Sequence, residues 1–470
     1  MMRSLVRAAT VAAALAIALL AGCMVGPDYR RPQVEVPGEF AAPLPSEAAL
    51  ASVPADWWTL FNDATLNRLV GAALADNVDI RIAVARIEEA NANLRVVNAA
   101  FIPEIDVDGV AHRGRPSVPG SGATGNALSL ALTTSFELDF WGRLRRGAEA
   151  ARALQLSARF SRDVVSLSLA SLTTQTYFAL RSLDAQIATT RVTLRTREDT
   201  LALVRRRADA GLSSDLEVNQ AAGARFDAAA QLKELIRQRA VAQHQLGTLT
   251  GMLDVRIDEG SLADLPQPAL PPPGLPSDLI ERRPDIRQAE QDLVAANARI
   301  GIARAAMFPR ISLTGQFGNA SSALSGLFDP ASRVWGIGLD LIGPVFDAGR
   351  NRALAEAEEA RARQVLGGYE KTIQSSFREV SDALVNVESL AATQGDLQGS
   401  ADAARNALRL ATLRYESGYT GFLEVLDAQR TSNIAELAVI RNRQSLLSAD
   451  VDLMRSLGGG WNPSPSTAGL

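Results

Sequence analysis

Few residues of the types that perform covalent chemistry are present, and their spacing builds no catalytic centre. The 470 residues include one cysteine, Cys23, and two histidines, His112 and His244. A single thiol excludes an intrachain disulfide framework and any cysteine-built metal cluster. Two distant histidines leave little for a zinc site or a Ser-His triad, and both are expected to be solvated. Gly120-Ser121-Gly122-Ala123-Thr124-Gly125 has the formal spacing GxGxxG. A nucleotide-binding turn would open a helix there, whereas a strand-like alternation follows, so nucleotide binding is not expected. No metal and no cofactor is expected, apart from a covalent lipid on Cys23.

The lone cysteine ends an apolar run. Arg3 and Arg7 give a positive start, and Ala8 to Leu20 are apolar except for Thr10. This reads as a secretory signal over residues 1–22, too short for a spanning helix. Leu20-Ala21-Gly22-Cys23 is similar to a bacterial lipobox. The similarity implies cleavage before Cys23 and acylation of its thiol and new amine, which anchors a chain without spanning. Met24 rather than Asp follows, which in lipoprotein sorting implies the outer membrane. No later run of 18 apolar residues exists, so no transmembrane helix is expected.

Composition points the same way. Hydrophobic residues make up 47% and charged residues 21%, enough for a sizeable core, and the length suggests about three domains. The net charge is −4, and loss of Arg3 and Arg7 with the signal gives −4 − 2 = −6. No basic excess remains for nucleic acid.

The chain is written twice. Asn77-Val78-Asp79-Ile80-Arg81 matches Arg283-Pro284-Asp285-Ile286-Arg287, 206 positions on. Ala90-Asn91-Ala92 against Ala296-Asn297-Ala298, and Pro103 against Pro309, keep that offset. Gly142-Arg143 against Gly349-Arg350, Gly211 against Gly418, and Leu216-Glu217-Val218 against Leu423-Glu424-Val425 follow at 207. Such a register marks a duplicated unit. The seam is Pro-rich and cannot be helical. The expected organisation is a signal at 1–22, a lipidated N-terminal segment at 23–62, a first repeat at 63–260, a linker at 261–277, a second repeat at 278–457 and a tail at 458–470.

Each repeat begins with a helical apolar spacing, over 79–100 and 285–306, ended by Pro103 and Pro309. The period then falls to two. Ile105 and Val107 alternate with Glu104, Asp106 and Asp108. Leu128, Leu130, Leu132 and Phe136 alternate with Ser129, Ala131, Thr133 and Ser135. Ile311, Leu313 and Phe317, then Trp335, Ile337, Leu339 and Leu341, repeat the pattern. Segments of this length fit a barrel wall that is apolar to lipid and polar to a wet lumen, or half of a soluble sandwich. Gly/Ser/Pro-rich loops at 113–125 and 318–332 join the strands. Residues 143–210 and 351–417 then form helices of some 65 residues, each on the order of 100 Å long. Their apolar stripe (Phe160, Val164, Leu167, Leu172, Leu180, Leu183, Ile187) is sparse, with Ser, Thr, Gln and Arg on the other faces, as in a coiled-coil-like wall. Gly211 and Gly418 break these helices, and the chain returns over 214–247 and 422–457.

Four strands cannot close a barrel, and open edges are not tolerated in lipid. The chain must pool its strands with copies of itself. Three copies would give 12 strands, and two would also reach the eight of the smallest transmembrane barrels.

At this point four segments together resemble the TolC-like outer-membrane factors of tripartite efflux systems, in particular their NodT-type lipoprotein branch. They are Cys23-Met24-Val25-Gly26-Pro27-Asp28-Tyr29 with Pro32; Trp57-Trp58, Phe61, Asp63, Leu66 and Asn77; Glu281-Arg282-Arg283-Pro284-Asp285-Ile286-Arg287 to Phe308-Pro309; and Arg414-Tyr415-Glu416-Ser417-Gly418 with Leu423-Glu424-Val425-Leu426-Asp427-Ala428-Gln429-Arg430. The second of these looks like the first periplasmic helix. The resemblance covers essentially the whole mature chain. It implies a mixed α and β fold: each chain gives four strands to a trimeric 12-stranded outer-membrane β-barrel, and long helical hairpins to a periplasmic α-barrel. It implies a passive efflux channel in the outer membrane, lipid-anchored and reaching into the periplasm. The implied partners are a periplasmic adaptor (membrane fusion protein) and an RND-type inner-membrane pump.

The resemblance also places the gate in the second hairpin. There it implies an apolar ring of Leu423 and a ring of Asp427 carboxylates that favours cations, with Arg430 bracing Asp427 or a neighbouring chain. At offset 207 Asp427 meets Gln220, so one acid per chain is expected at this level. Arg207, Gly211, Arg414 and Gly418, paired across the repeat at the hairpin tips, are the expected adaptor contacts. The competing readings are a periplasmic structural lipoprotein with a soluble β domain, a cell-wall enzyme for which no constellation exists, and, within the class, a type I protein-secretion conduit.

Overall fold

The computed structural model describes residues 24–37, 53–114, 124–270 and 278–460. Cys23, the signal, most of the loop after the first strand, part of the Pro-rich linker and residues 461–470 lie outside them. After a 3-10 turn at Trp57–Phe61 come α1 (Ala64–Asp76), α2 (Val78–Ala99), β1 (Glu104–Gly114), β2 (Gly125–Glu137), α3 (Arg143–Asp209) and α4 (Asp215–Thr250). The second repeat follows as α5 (Asp278–Arg282), α6 (Pro284–Ala305), β3 (Arg310–Ser321), β4 (Arg333–Ile342), α7 (Arg350–Glu416) and α8 (Phe422–Ser456). The order helix, two strands, long helix, returning helix thus occurs twice. Among the described residues no helix is long and apolar enough to cross a membrane.

The chain forms two compact units, and α2, α3, α6 and α7 contribute residues to both. The first unit holds the sheet, of order β1-β2-β3-β4 with every neighbouring pair antiparallel. An N-terminal strap belongs to the same unit. Val25 N–H donates to the Trp141 carbonyl at 3.1 Å. Buried Arg146 reaches the Asp28 carboxylate at 2.7 Å, and Arg31 pairs with Glu290 of α6 at 2.6 Å. Gly26 is needed there: at φ +103° its Cα faces Gly301, whose Cα would lie 2.6 Å from an added Cβ.

The second unit carries the larger core, in which Trp57, Phe61, Leu66, Tyr177, Phe178, Leu246, Leu447 and Met454 are buried together. Asp63 caps α1 through the Leu66 N–H and also accepts from the Tyr177 hydroxyl at 2.7 Å. The segment ending at Asn77 and the helix expected over 79–100 are distinct helices, α1 and α2. Asn77 separates them, its Oδ1 accepting from the Asp79 N–H at 2.7 Å and its Nδ2 donating to the Leu249 carbonyl. An asparagine with both ends so engaged starts a new helix rather than continuing the old one.

Two expectations need correction. The second loop is shorter than 318–332, because Gly318 to Ser321 pair in β3; the glycine is there for close approach, since a Cβ on Gly318 would meet the Leu130 carbonyl oxygen at 2.3 Å. The polar faces of α3 are also not all outside. Thr173, Thr174, Ser182 and Thr190 are buried, while Leu172 of the expected stripe is exposed. Thr174 and Thr176 return their hydroxyls to the carbonyls four residues back, at 2.8 and 2.7 Å. Such back-bonding lets a hydroxyl enter a core with its donor satisfied. Small side chains on that face also let helices approach closely.

Candidate channel wall and hairpin tips

Residue alternation and register together give the sheet two unlike faces. One carries Ile105 and Val107 of β1, Leu130 and Leu132 of β2, Leu313 and Phe317 of β3, and Trp335, Ile337, Leu339 and Leu341 of β4. Register sets Phe317 directly opposite Trp335, and Leu313 opposite Leu339. These side chains are exposed, Ile105 by 70%, Trp335 by 73% and Ile337 by 78%. An exposed apolar face of this extent marks a surface covered by lipid or by a partner. The opposite face carries Glu104, Asp106 and Asp108 against Ser135, Thr133 and Ala131, then Thr314, Gln316 and Gly318, then Gly338 and Gly336. Its residues are short or hydrophilic. At the end of the sheet nearest the helices Trp141 stacks on Phe308 with ring centroids 4.6 Å apart, and its indole N–H donates to the Pro309 carbonyl at 2.8 Å.

The hairpin tips lie in the second unit and repeat one another. Gly211 and Gly418 have φ of +72° and +79°, the left-handed region that favours glycine. Leu212 N–H bonds to the Arg207 carbonyl at 2.7 Å, and Tyr419 N–H to the Arg414 carbonyl at 2.8 Å. Each helix therefore ends by the same glycine-dependent motif. The tips pack through Val204, Ala221, Ala411, Tyr415, Phe422 and Val425. The Arg207 guanidinium lies 4.8 Å from the Tyr415 ring centroid, whereas Arg414 is exposed and pairs with Glu424 at 3.4 Å. The two arginines, expected as equivalents, thus occupy different surroundings. Leu212 and Tyr419, which sequence reasoning passed over, stand exposed beside the two glycines.

Leu423, Asp427 and Arg430 share one exposed stretch of α8. The Arg430 Nη2 donates to Asp427 Oδ1 at 2.8 Å within the same chain. All three line a groove of about 800 Å³ between α4 and α8, with Gln220, Gly223 and Asp227 on its other wall. Leu216, the repeat counterpart of Leu423, is exposed to the same degree. His112 on β1 and His244 on α4 are exposed. No group of three acidic, histidine or cysteine side chains able to hold a metal occurs among the described residues.

Among the buried charged groups that the sequence did not single out as such are Arg283 and Asp450. Arg283, within the strongest motif, is a junction: it pairs with Asp285 at 2.7 Å and Glu379 at 2.9 Å and donates to the Ser456 carbonyl. Asp450 on α8 is fully buried, and neither carboxylate oxygen has a hydrogen-bond partner. Burial pushes its carboxyl up to about 7, against the opposing pull of Arg443. The spacing of Arg443 and Asp450, seven residues on one helix face, was the available signal.

A sheet with one apolar exposed face and one hydrophilic face, joined to helices too polar for lipid, defines a membrane-wall protein of the outer-membrane channel class. The comparisons agree. The family profile for outer membrane efflux proteins matches residues 69–252 and 275–459, one segment per repeat. OprJ, an outer membrane protein of Pseudomonas aeruginosa, is 38% identical over 96% of this chain and 96% of its own. The cation efflux system protein CusC of Escherichia coli is 35% identical over 94% of this chain and 96% of its own. The solved outer-membrane channel OprN superposes with a TM-score of 0.87 at 32% identity, covering 94% of this chain and 100% of OprN. The chain belongs to the outer membrane efflux protein family.

Proposed function

We propose that this protein is the outer-membrane channel of a tripartite efflux system. It conducts substrates passively from an inner-membrane pump, through a periplasmic adaptor, to the outside. The single observation that carries the reading is the exposed apolar face of a sheet whose two edge strands have no outer partner among the described residues. Lipid tolerates such a sheet only when closed. Because the four strands alternate in direction, β4 of one copy can pair antiparallel with β1 of the next, and three copies close a 12-stranded barrel. The solved relatives superpose on nearly the full chain, which supports a shared assembly.

The remaining roles follow from this assembly. The hydrophilic sheet face lines the bore and needs no catalytic group. Leu423 and Asp427 ring the narrow end, and Arg430 braces Asp427 within the same chain. Gly211, Gly418, Arg207 and Arg414 shape the surface offered to the adaptor. An acyl group on Cys23 adds a second anchor. CusC is named as part of an efflux system, which supports adaptor and pump partners here.

Purified protein reconstituted in planar bilayers tests the reading. A heat-labile trimer on a gel and stepwise ion conductance are expected. A stable monomer that passes no ions would overturn it, and would favour a periplasmic scaffold.

A further inference from the structure

The apolar face of the sheet turns polar at its loop end, four residues farther along β1 and β2 than along β3 and β4. Along that face β1 passes from Ile105 and Val107 to Arg113. On β2 Leu128 gives way to Asn126, on β3 Phe317 gives way to Asn319, and on β4 Trp335 gives way to Arg333. Alternation fixes the side: Arg113 is an even number of residues from Ile105, and Arg333 from Trp335, so both arginines share the apolar face rather than the hydrophilic one. Both are exposed, and neither makes an ion pair among the described residues. Asn319, directly opposite Arg333, donates to the Leu327 carbonyl at 2.8 Å and braces that corner. The aromatic pair Phe317 and Trp335 lies two residues nearer the helices, where an interfacial girdle is expected.

The two arginines stand on the two edge strands. When copies close edge to edge, as proposed above, β4 with Arg333 becomes the neighbour of β1 with Arg113. Each seam then presents two guanidinium groups just beyond the apolar band, at the end away from the helices. In an outer-membrane channel that end meets the outer leaflet, whose lipid carries phosphate. A planar guanidinium takes two phosphate oxygens at once, and a pair of them matches a diphosphorylated headgroup.

We propose that Arg113 and Arg333 form, at each subunit seam, a binding site for the phosphorylated headgroup of the outer-leaflet lipid. This rests on the channel reading and on its closure by copies. The bound lipid spans two chains, so it ties the assembly together from outside.

The test titrates the purified trimer with diphosphorylated lipid A, with dephosphorylated lipid A and with inorganic phosphate, reading mass by native mass spectrometry and trimer melting. Diphosphorylated lipid A is expected to bind and raise the melting temperature. In R113Q/R333Q its affinity should fall about tenfold or more, and R113K/R333K should recover part of it. Equal affinity in wild type and R113Q/R333Q overturns the proposal. So does equal stabilisation by dephosphorylated lipid A, or by inorganic phosphate, which would mark a site for any anion. Conductance in phosphatidylcholine bilayers separates the two readings. A conducting wild type without lipid A preference sinks this site alone, whereas a wild type that never conducts sinks the channel reading beneath it.

Discussion

Asp450 is a buried acid without a hydrogen-bond partner, in a molecule whose other deep charges are paired. Its carboxyl holds a proton more tightly folded than unfolded, because burial disfavours the charged form. Stability from this group is therefore full at low pH and is lost as pH rises through about 7. Thermal unfolding should shift downward by roughly 2–5 °C between pH 6 and 8.5, and Asp450→Asn should flatten that slope. An unchanged slope in the variant would show that another group titrates. The residues proposed for the gate, Leu423 and Asp427, are exposed. Leu423→Ala with Asp427→Ala should leave the trimer intact, raise single-channel conductance and admit large antibiotics to the cell. Antibiotic uptake identical to wild type would remove these residues from the gate.

Two glycines on the same face of neighbouring strands set the element scale. Both Gly318 of β3 and Gly336 of β4 lie on the hydrophilic side. A Cβ at Gly318 meets backbone, the Leu130 oxygen at 2.3 Å and Ala131 Cα at 2.4 Å, whereas one at Gly336 meets nothing within 4 Å. Gly318→Ala should thus part β2 from β3 and cost about 1–3 kcal/mol, measured as loss of the heat-labile trimer. Gly336→Ala should be neutral in the same assay. The long helices follow a related rule. On α3 the hydroxyls of Ser171, Thr174 and Thr176 bond to carbonyls of their own helix four residues back, which lets small polar residues share the buried face of a helix of 67 residues with a thin apolar stripe.

For the whole molecule, the proposed lipid anchor and the sheet can be tested separately. The described chain begins at the helical end of the sheet, where Met24 lies against Gly142 and Val25 bonds to Trp141. Cys23→Ser should abolish incorporation of labelled palmitate while the trimer still sediments with outer membrane. If the variant becomes soluble, lipid rather than strands supplies the anchoring. Two anchors of different kinds are expected to act in sequence, since a single acylated terminus binds reversibly and a closed barrel does not.

The amino-acid order by itself determined the duplication, the four alternating strands and the two long helices. These features are local: a period of two or of 3.6, a proline or glycine at each end, a motif repeated at a constant offset. Helix ends fell within a residue or a few of their expected places because Pro103, Gly211 and Gly418 act on their immediate neighbours. Only the tertiary structure decided which polar residues go inside. Thr173, Ser182 and Asp450 look like surface residues in sequence, and Arg207 and Arg414 look equivalent, until a ring distant in the chain half-covers Arg207 and leaves Arg414 exposed. Burial is a property of what packs against a residue, and that partner lies in another element, beyond the reach of any local pattern.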